Sequence, residues 1–127
     1  MRLLLDTHIW LWLNLQPERL PATCSAALAE PDSQVVLSVA SVWEVSIKHK
    51  LGKIEVGGAF LPFVDRALAE VELLDIRLPH VQRGHDLPLI HRDPFDWIII
   101  AQALVEGLTL ATVDRAFATY GVNLLPP

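Results

Sequence analysis

The sequence is poor in several things, and each shortage excludes a class of protein. It has one cysteine, Cys24, in 127 residues, so neither an intramolecular disulfide nor a multi-cysteine zinc site can form. Cys24 falls in the helical-looking stretch 22–30 and reads as a small packing residue. Long hydrophobic runs are also missing. The longest stretch without Asp, Glu, Lys or Arg is 116–127, twelve residues, against the ~18 that a membrane-spanning helix needs. Hydrophobic residues nevertheless make up 52% and mean hydropathy is +0.37. That excludes disorder and points to a buried core, which a chain of about one domain's length can form without covalent staples. Positive charge is short as well: 10 Lys and Arg face 15 Asp and Glu, for a net charge of −5. Domains that hold nucleic acid by bulk electrostatics are basic. Any polyanionic partner must therefore be met locally, by a basic rim or by bound cations. No glycine-rich phosphate loop, His-Glu-x-x-His pattern, repeat or linker appears. Met1-Arg2-Leu3-Leu4-Leu5 imitates the start of a signal peptide, but Asp6 interrupts it and no small-residue cleavage site follows. The expected location is the cytoplasm.

What is present alternates between short apolar strands and helices. Strands are predicted at 2–5, 35–38, 73–76, 108–111 and 122–125. Helices are predicted at 7–14, 22–30, 39–51, 59–70, 79–84, 94–106 and 114–119. Pro17 and Pro21 break the first helical run. The helix at 94–106 is the clearest, with Asp93 as its cap, Pro94 in its first position and Gly107 as its stop. Apolar strands separated by helices imply a mainly parallel sheet covered on both faces. Such sheets bind ligands beyond the carboxyl ends of their strands, where strand order reverses.

The acids fall where that rule directs attention. Asp6 directly follows the first strand, and Asp114 follows the strand ending at Ala111. Each also begins a helix, so each can equally be read as an N-cap. Glu44 shares a helical face with Ala40, Trp43, Ile47 and Leu51. A carboxylate in that stripe requires a partner, and Lys48, four residues on, offers a surface pair as the plain explanation. Asp93 reads as a cap. Asp96 opens a helix that is apolar nearly all round (Trp97-Ile98-Ile99-Ile100-Ala101), so its charge points into protein or into a cleft. If these carboxylates converge, they repel one another. An all-oxygen cluster suits Mg²⁺ or Mn²⁺, which can activate water against a phosphodiester.

Four ordered segments carry a resemblance: Leu4-Leu5-Asp6-Thr7-His8, Ser41-Val42-Trp43-Glu44-Val45, Asp93-Pro94-Phe95-Asp96-Trp97-Ile98-Ile99-Ile100-Ala101-Gln102-Ala103 and Thr112-Val113-Asp114-Arg115-Ala116-Phe117. Together they resemble the PIN-domain family and, more narrowly, the VapC-type toxins of toxin–antitoxin pairs. The resemblance implies a single domain over 1–127, a three-layer α/β/α sandwich with a central mainly parallel sheet. It implies a Mg²⁺-dependent endoribonuclease, with Mn²⁺ as a substitute. By motif position Asp6, Glu44, Asp96 and Asp114 would be the metal-binding, catalytic acids, Asp93 could share the third role, and Thr112 would orient a ligand water. An RNA substrate, a protein antitoxin and a homodimer are likewise implications of the family.

Other residues carry weaker readings. Lys48, Arg92 and Arg115 are candidates for substrate phosphate, each with a helix end or an internal carboxylate as its alternative partner. Of five histidines, His8 and His91 stand two residues from Asp6 and Asp93, whereas His49, His80 and His85 are expected to be solvated. Trp10 and Trp12 lie in a segment apolar on both sides, which suits either the core or a protein interface. Two other functions remain open. One is a phosphatase or phosphoacceptor with Asp6 as nucleophile, although the residue two places on is His8 rather than a second acid. The other is a non-catalytic protein-interaction module.

Overall fold

The computed structural model describes residues 1–90 and 93–127; His91 and Arg92, and with them the phosphate-binding expectation for Arg92, lie outside the described residues. In chain order the elements are β1 (Arg2–Leu5), α1 (Thr7–Leu15), a 3₁₀ turn (Pro17–Arg19), α2 (Ala22–Ala29), β2 (Gln34–Ser38), α3 (Val39–Lys50), α4 (Phe60–Ala67), β3 (Glu72–Leu74), α5 (Leu78–Asp86), α6 (Pro94–Glu106), β4 (Thr109–Ala111) and a 3₁₀ segment (Arg115–Tyr120). The strands form one sheet in the order β3-β2-β1-β4, with every pair parallel.

Alternation along the strands divides the core in two. Leu3 and Leu5 of β1, Leu37 of β2 and Ala111 of β4 face one layer, where they meet Trp10, Val45 and Phe63 from α1, α3 and α4. Leu4, Val36 and Leu110 face the other, against Ile99 and Ile100 of α6 and Phe117 and Tyr120 of the 3₁₀ segment. Both faces are covered, and strands buried on both sides must be apolar throughout. The architecture is the three-layer α/β/α sandwich that the strand–helix alternation implies. α6 begins and ends as its sequence dictates. The Asp93 side chain accepts from the Phe95 N–H (2.9 Å), and Gly107 closes the helix in the left-handed region at φ 66°.

Several expectations fail at the edges. The strand predicted at 122–125 is only an isolated parallel bridge, Leu110 with Leu124. Pro126 and Pro127 follow directly and have no N–H with which to extend a ladder. The helix predicted at 114–119 is a 3₁₀ segment, and that predicted at 59–70 is shorter. Trp10 belongs to the core rather than to an interface. It is fully buried, donates its indole N–H to the Ala67 carbonyl (3.1 Å) and lies against Phe63. His80 is buried rather than solvated. Its Nδ1 accepts from the Arg77 N–H and its Nε2 bonds Glu106, both at 2.9 Å. His49 is half-buried beside Phe60, and His85 is exposed. Cys24 is buried, as a packing residue should be. Among the described residues no helix is long and apolar enough to cross a membrane.

Candidate active site

The chain steps outward from β1 to β2 to β3, then returns to the far side of β1 to lay down β4. Strand order therefore reverses between β1 and β4, and a crevice opens at their carboxyl ends. Asp6 leaves β1 there, its N–H donating to the Ala111 carbonyl (2.9 Å), and Thr112 and Asp114 leave β4 beside it. α3 starts directly after β2, capped by the Ser38 side chain, which accepts from the Ala40 N–H (3.0 Å). That helix carries Glu44 and Lys48 to the crevice, and the start of α6 brings Asp93 and Asp96. The result is a cleft of about 310 Å³ bordered by Asp6, Glu44, Asp93, Asp96 and Asp114, with His8, Trp12 and Lys48 also on its walls.

Each acid is held differently. Asp6 is buried and its side chain does not cap α1. Its Oδ2 instead accepts from the Thr112 hydroxyl (2.7 Å), and that hydroxyl accepts in turn from the Asp114 N–H (3.0 Å). The one hydroxyl proton of Thr112 thus lies on Asp6, so Thr112 ties two acids together. Burial pushes the Asp6 carboxyl above its usual range and Glu44 adds to the push. The Thr112 bond opposes it most, then His8 and the Thr7 N–H. Asp114 does cap its element, Oδ1 accepting from the Ala116 N–H (3.0 Å).

The expected pair of Glu44 with Lys48 does form, but Glu44 itself is only 4% exposed, so its end of the pair is buried. Oε2 accepts from Lys48 Nζ (2.6 Å) and Oε1 from the Thr7 hydroxyl (2.8 Å). The Ser41 hydroxyl lies 2.9 Å from that of Thr7. With a single proton to give, Thr7 donates to Glu44 and receives from Ser41. The hydrogen bond to Glu44 holds the Lys48 ammonium above its usual range, with Asp93 and Asp96 adding and burial opposing. Asp96 is pushed up to about 7, first by burial and then by the charges of Asp93, Asp6, Glu44 and Asp114. Every acid named from the sequence contributes to the field at this one carboxyl.

Arg115 turns away from the acids, donating to the Leu125 carbonyl (3.1 Å) beside an apolar hollow near Cys24. Three residues at or behind the cleft carried no site role in sequence. Thr7 and Ser41 are buried hydroxyls that fix Glu44; adjacency to Asp6, and a place three residues before Glu44 on one helix face, were the available signals. Trp12 is a cleft wall, which alternation of apolar residues alone does not reveal.

The donor set is all oxygen and strongly acidic; burial first, and then the neighbouring carboxylates, disfavour the charged form of Asp96, and a hard divalent cation would offset the second of these. In chemistry the residues fit Mg²⁺ or Mn²⁺. As placed they do not form a closed cage: among the described residues, no three His, Cys, Asp or Glu side chains are grouped so as to hold a metal ion.

Solved structures share this fold. VapBC2 from Rickettsia felis, bound to a DNA fragment from its promoter, superposes with a TM-score of 0.74 at 18% identity, covering 98% of this chain and 97% of that one. A toxin–antitoxin complex from Klebsiella pneumoniae gives 0.62 at 24% identity, covering 91% and 89%. VapC20 from Mycobacterium tuberculosis, described as a sarcin-ricin loop cleaving toxin, gives 0.68 at 14% identity, covering 98% and 99%. Among curated proteins no sequence match is found. The sequence model of the PIN domain matches residues 3–123. That span takes in all four strands and every acid of the cleft, and the chain belongs to the PIN domain family.

Proposed function

We propose that this PIN domain is a divalent-cation-dependent endoribonuclease and the toxin of a toxin–antitoxin pair. One observation carries the reading. Acids from four separate segments, Asp6, Glu44, Asp93 with Asp96, and Asp114, border a single cleft at the point where strand order reverses. Asp93 and Asp114 also cap their elements, but gathering five carboxylates here, with Asp6 and Glu44 buried, is costly and more than capping requires. The similar toxin–antitoxin structures and the RNA-cleaving VapC20 make RNA the expected substrate and a protein antitoxin the expected partner.

Asp6 and Asp96 would hold the cation, with Glu44 and Asp114 completing the acidic set. When bound, Mg²⁺ supplies charge neutralisation at the phosphate and lowers the pKa of an attacking water. The protein's own part is positioning. Thr112 fixes the orientation of Asp6, and Thr7 with Lys48 fixes both oxygens of Glu44. The Asp96 carboxyl, pushed up to about 7 by burial and its acidic neighbours, would give up its proton when a cation binds. Trp12 and Phe117 give the cleft apolar walls that limit water.

The test is incubation of purified protein with total cellular RNA. Cleavage should require Mg²⁺ or Mn²⁺ and stop with EDTA, and mapping of the cut ends identifies the RNA. Cleavage unaffected by EDTA, or no cleavage with any divalent ion, overturns the reading. Co-expression with the neighbouring reading frame tests the antitoxin, and light scattering tests the expected homodimer.

A further inference from the structure

An acidic cleft must still attract a polyanion, and among the described residues the cations near this one are mostly committed elsewhere. Lys48 is bonded to Glu44 and Arg115 to the Leu125 carbonyl. Arg19 is different. It lies in the 3₁₀ turn after α1, is exposed, and forms no ion pair among the described residues; its side chain donates from Nη1 to Gln16 Oε1 (3.2 Å). Its guanidinium sits 4.7 Å from the centre of the Trp12 ring, over that ring. Trp12 packs partly against the core and partly borders the acidic cleft, with the exposed His8 ring 6.3 Å away. An anchored indole backed by a guanidinium, at the edge of a site for phosphodiester chemistry, is the composition of a nucleotide-binding platform.

Resting on the nuclease reading above, we infer that Trp12 and Arg19 form a nucleotide subsite that stacks one base of single-stranded RNA against the indole and contacts its phosphate through Arg19. The anchoring matters. The ring is already ordered by core contacts and by Arg19, so little further side-chain freedom is lost when a base stacks. Stacking is tolerant of base identity, so the subsite would position a strand across the acids rather than select a sequence. It also separates two tasks in an acidic protein: the carboxylates serve the reacting phosphate, and the aromatic and cationic rim supplies grip.

The test uses fluorescence anisotropy of a labelled single-stranded oligoribonucleotide, together with cleavage of the same oligomer in Mg²⁺. Trp12→Ala should weaken binding about 5- to 150-fold, the cost of losing one stacking partner. Trp12→Phe should restore most of it, and because it keeps an aromatic ring against the core it holds the question open if Trp12→Ala fails to fold. Arg19→Gln should weaken binding less and reduce its salt dependence by about one phosphate contact. An abasic oligomer should bind wild type and Trp12→Ala alike, with no advantage from the ring. Equal binding of RNA by wild type and Trp12→Ala, or abasic RNA bound as tightly as normal RNA, overturns the subsite. Wild-type cleavage that persists in Trp12→Ala with unchanged KM and cut sites overturns it while leaving the nuclease reading intact. RNA binding that depends on Trp12 without any wild-type cleavage supports the subsite and removes the nuclease. Loss of binding to a basic peptide, with RNA binding unchanged, would make the rim a protein-docking surface and overturn the proposal.

Discussion

Two polar clusters sit at opposite ends of α6, and they are built on opposite terms. Near its C-terminus, His80 is fully enclosed, with one ring nitrogen accepting from a backbone N–H and the other bonded to Glu106. Both ring nitrogens are satisfied, and the cluster ties α5 to α6. Near the N-terminus, Asp96 faces four other carboxylates across a cleft and is pushed up to about 7. The first cluster closes on itself. The second sets five carboxylates around one cleft lysine, Lys48, which is bonded to Glu44. Buried polarity alone says little about function; what discriminates is whether the partners already present balance it.

Variants can break this contrast. The largest effect should come from Asp6→Asn, which keeps the shape and the acceptor oxygen for Thr112 but removes the charge. RNA cleavage should fall by about a thousandfold or more, with the circular dichroism spectrum unchanged; retained activity would remove Asp6 from the site. His80→Ala should do the reverse. It leaves the Arg77 N–H and Glu106 without their partner, costing about 2–3 kcal/mol, or a Tm lower by roughly 10 °C. The folded fraction should cleave RNA as wild type does.

Thr112→Val tests the bridge between two acids. Losing the bond to Asp6 should slow cleavage about tenfold, the worth of one hydrogen bond to a charged group, and should raise the Asp6 pKa further. The smallest effect concerns Asp96 and depends on pH. Its folded pKa is raised from 3.8 to about 7, so the native state holds the proton more tightly than the unfolded chain does. Its influence on stability is therefore favourable below the folded pKa and is lost as pH climbs from about 4 to about 7. Without metal, Asp96→Asn should raise Tm at pH 8 by about 4 °C, roughly 1 kcal/mol after solvent screening, and by nothing at pH 4. The same variant should lose the stabilisation that Mg²⁺ gives the wild type. An equal Mg²⁺ response in both would leave Asp96 out of the metal site.

The difference between the clusters also explains how much could be read from the sequence. Asp6 and Asp114 follow strands and Glu44 interrupts an apolar helix face, so their unusual placement is visible in local order. The same local order located β1, α3 and α6 to within a residue or two. His80 is invisible in this way, because its surroundings in sequence are polar and its partner Glu106 lies 26 residues away. Trp10 and Trp12 show the same boundary. They stand two apart in one apolar run, yet one is enclosed by Ala67 and Phe63 and the other lines the cleft. The segment at 122–125 has the composition of a strand, but the two prolines after it reduce it to one bridge.

The Thr112 hydroxyl joins Asp6 across a separation of 106 residues. A growing chain synthesised only as far as α6 holds four of the five acids but lacks both the strand that flanks Asp6 and the group that orients it. Contacts so distant in sequence are slow to form and arrive late. The cleft is therefore incomplete until nearly the whole chain has been made, because one of its acids is held by a strand and a hydroxyl that come last.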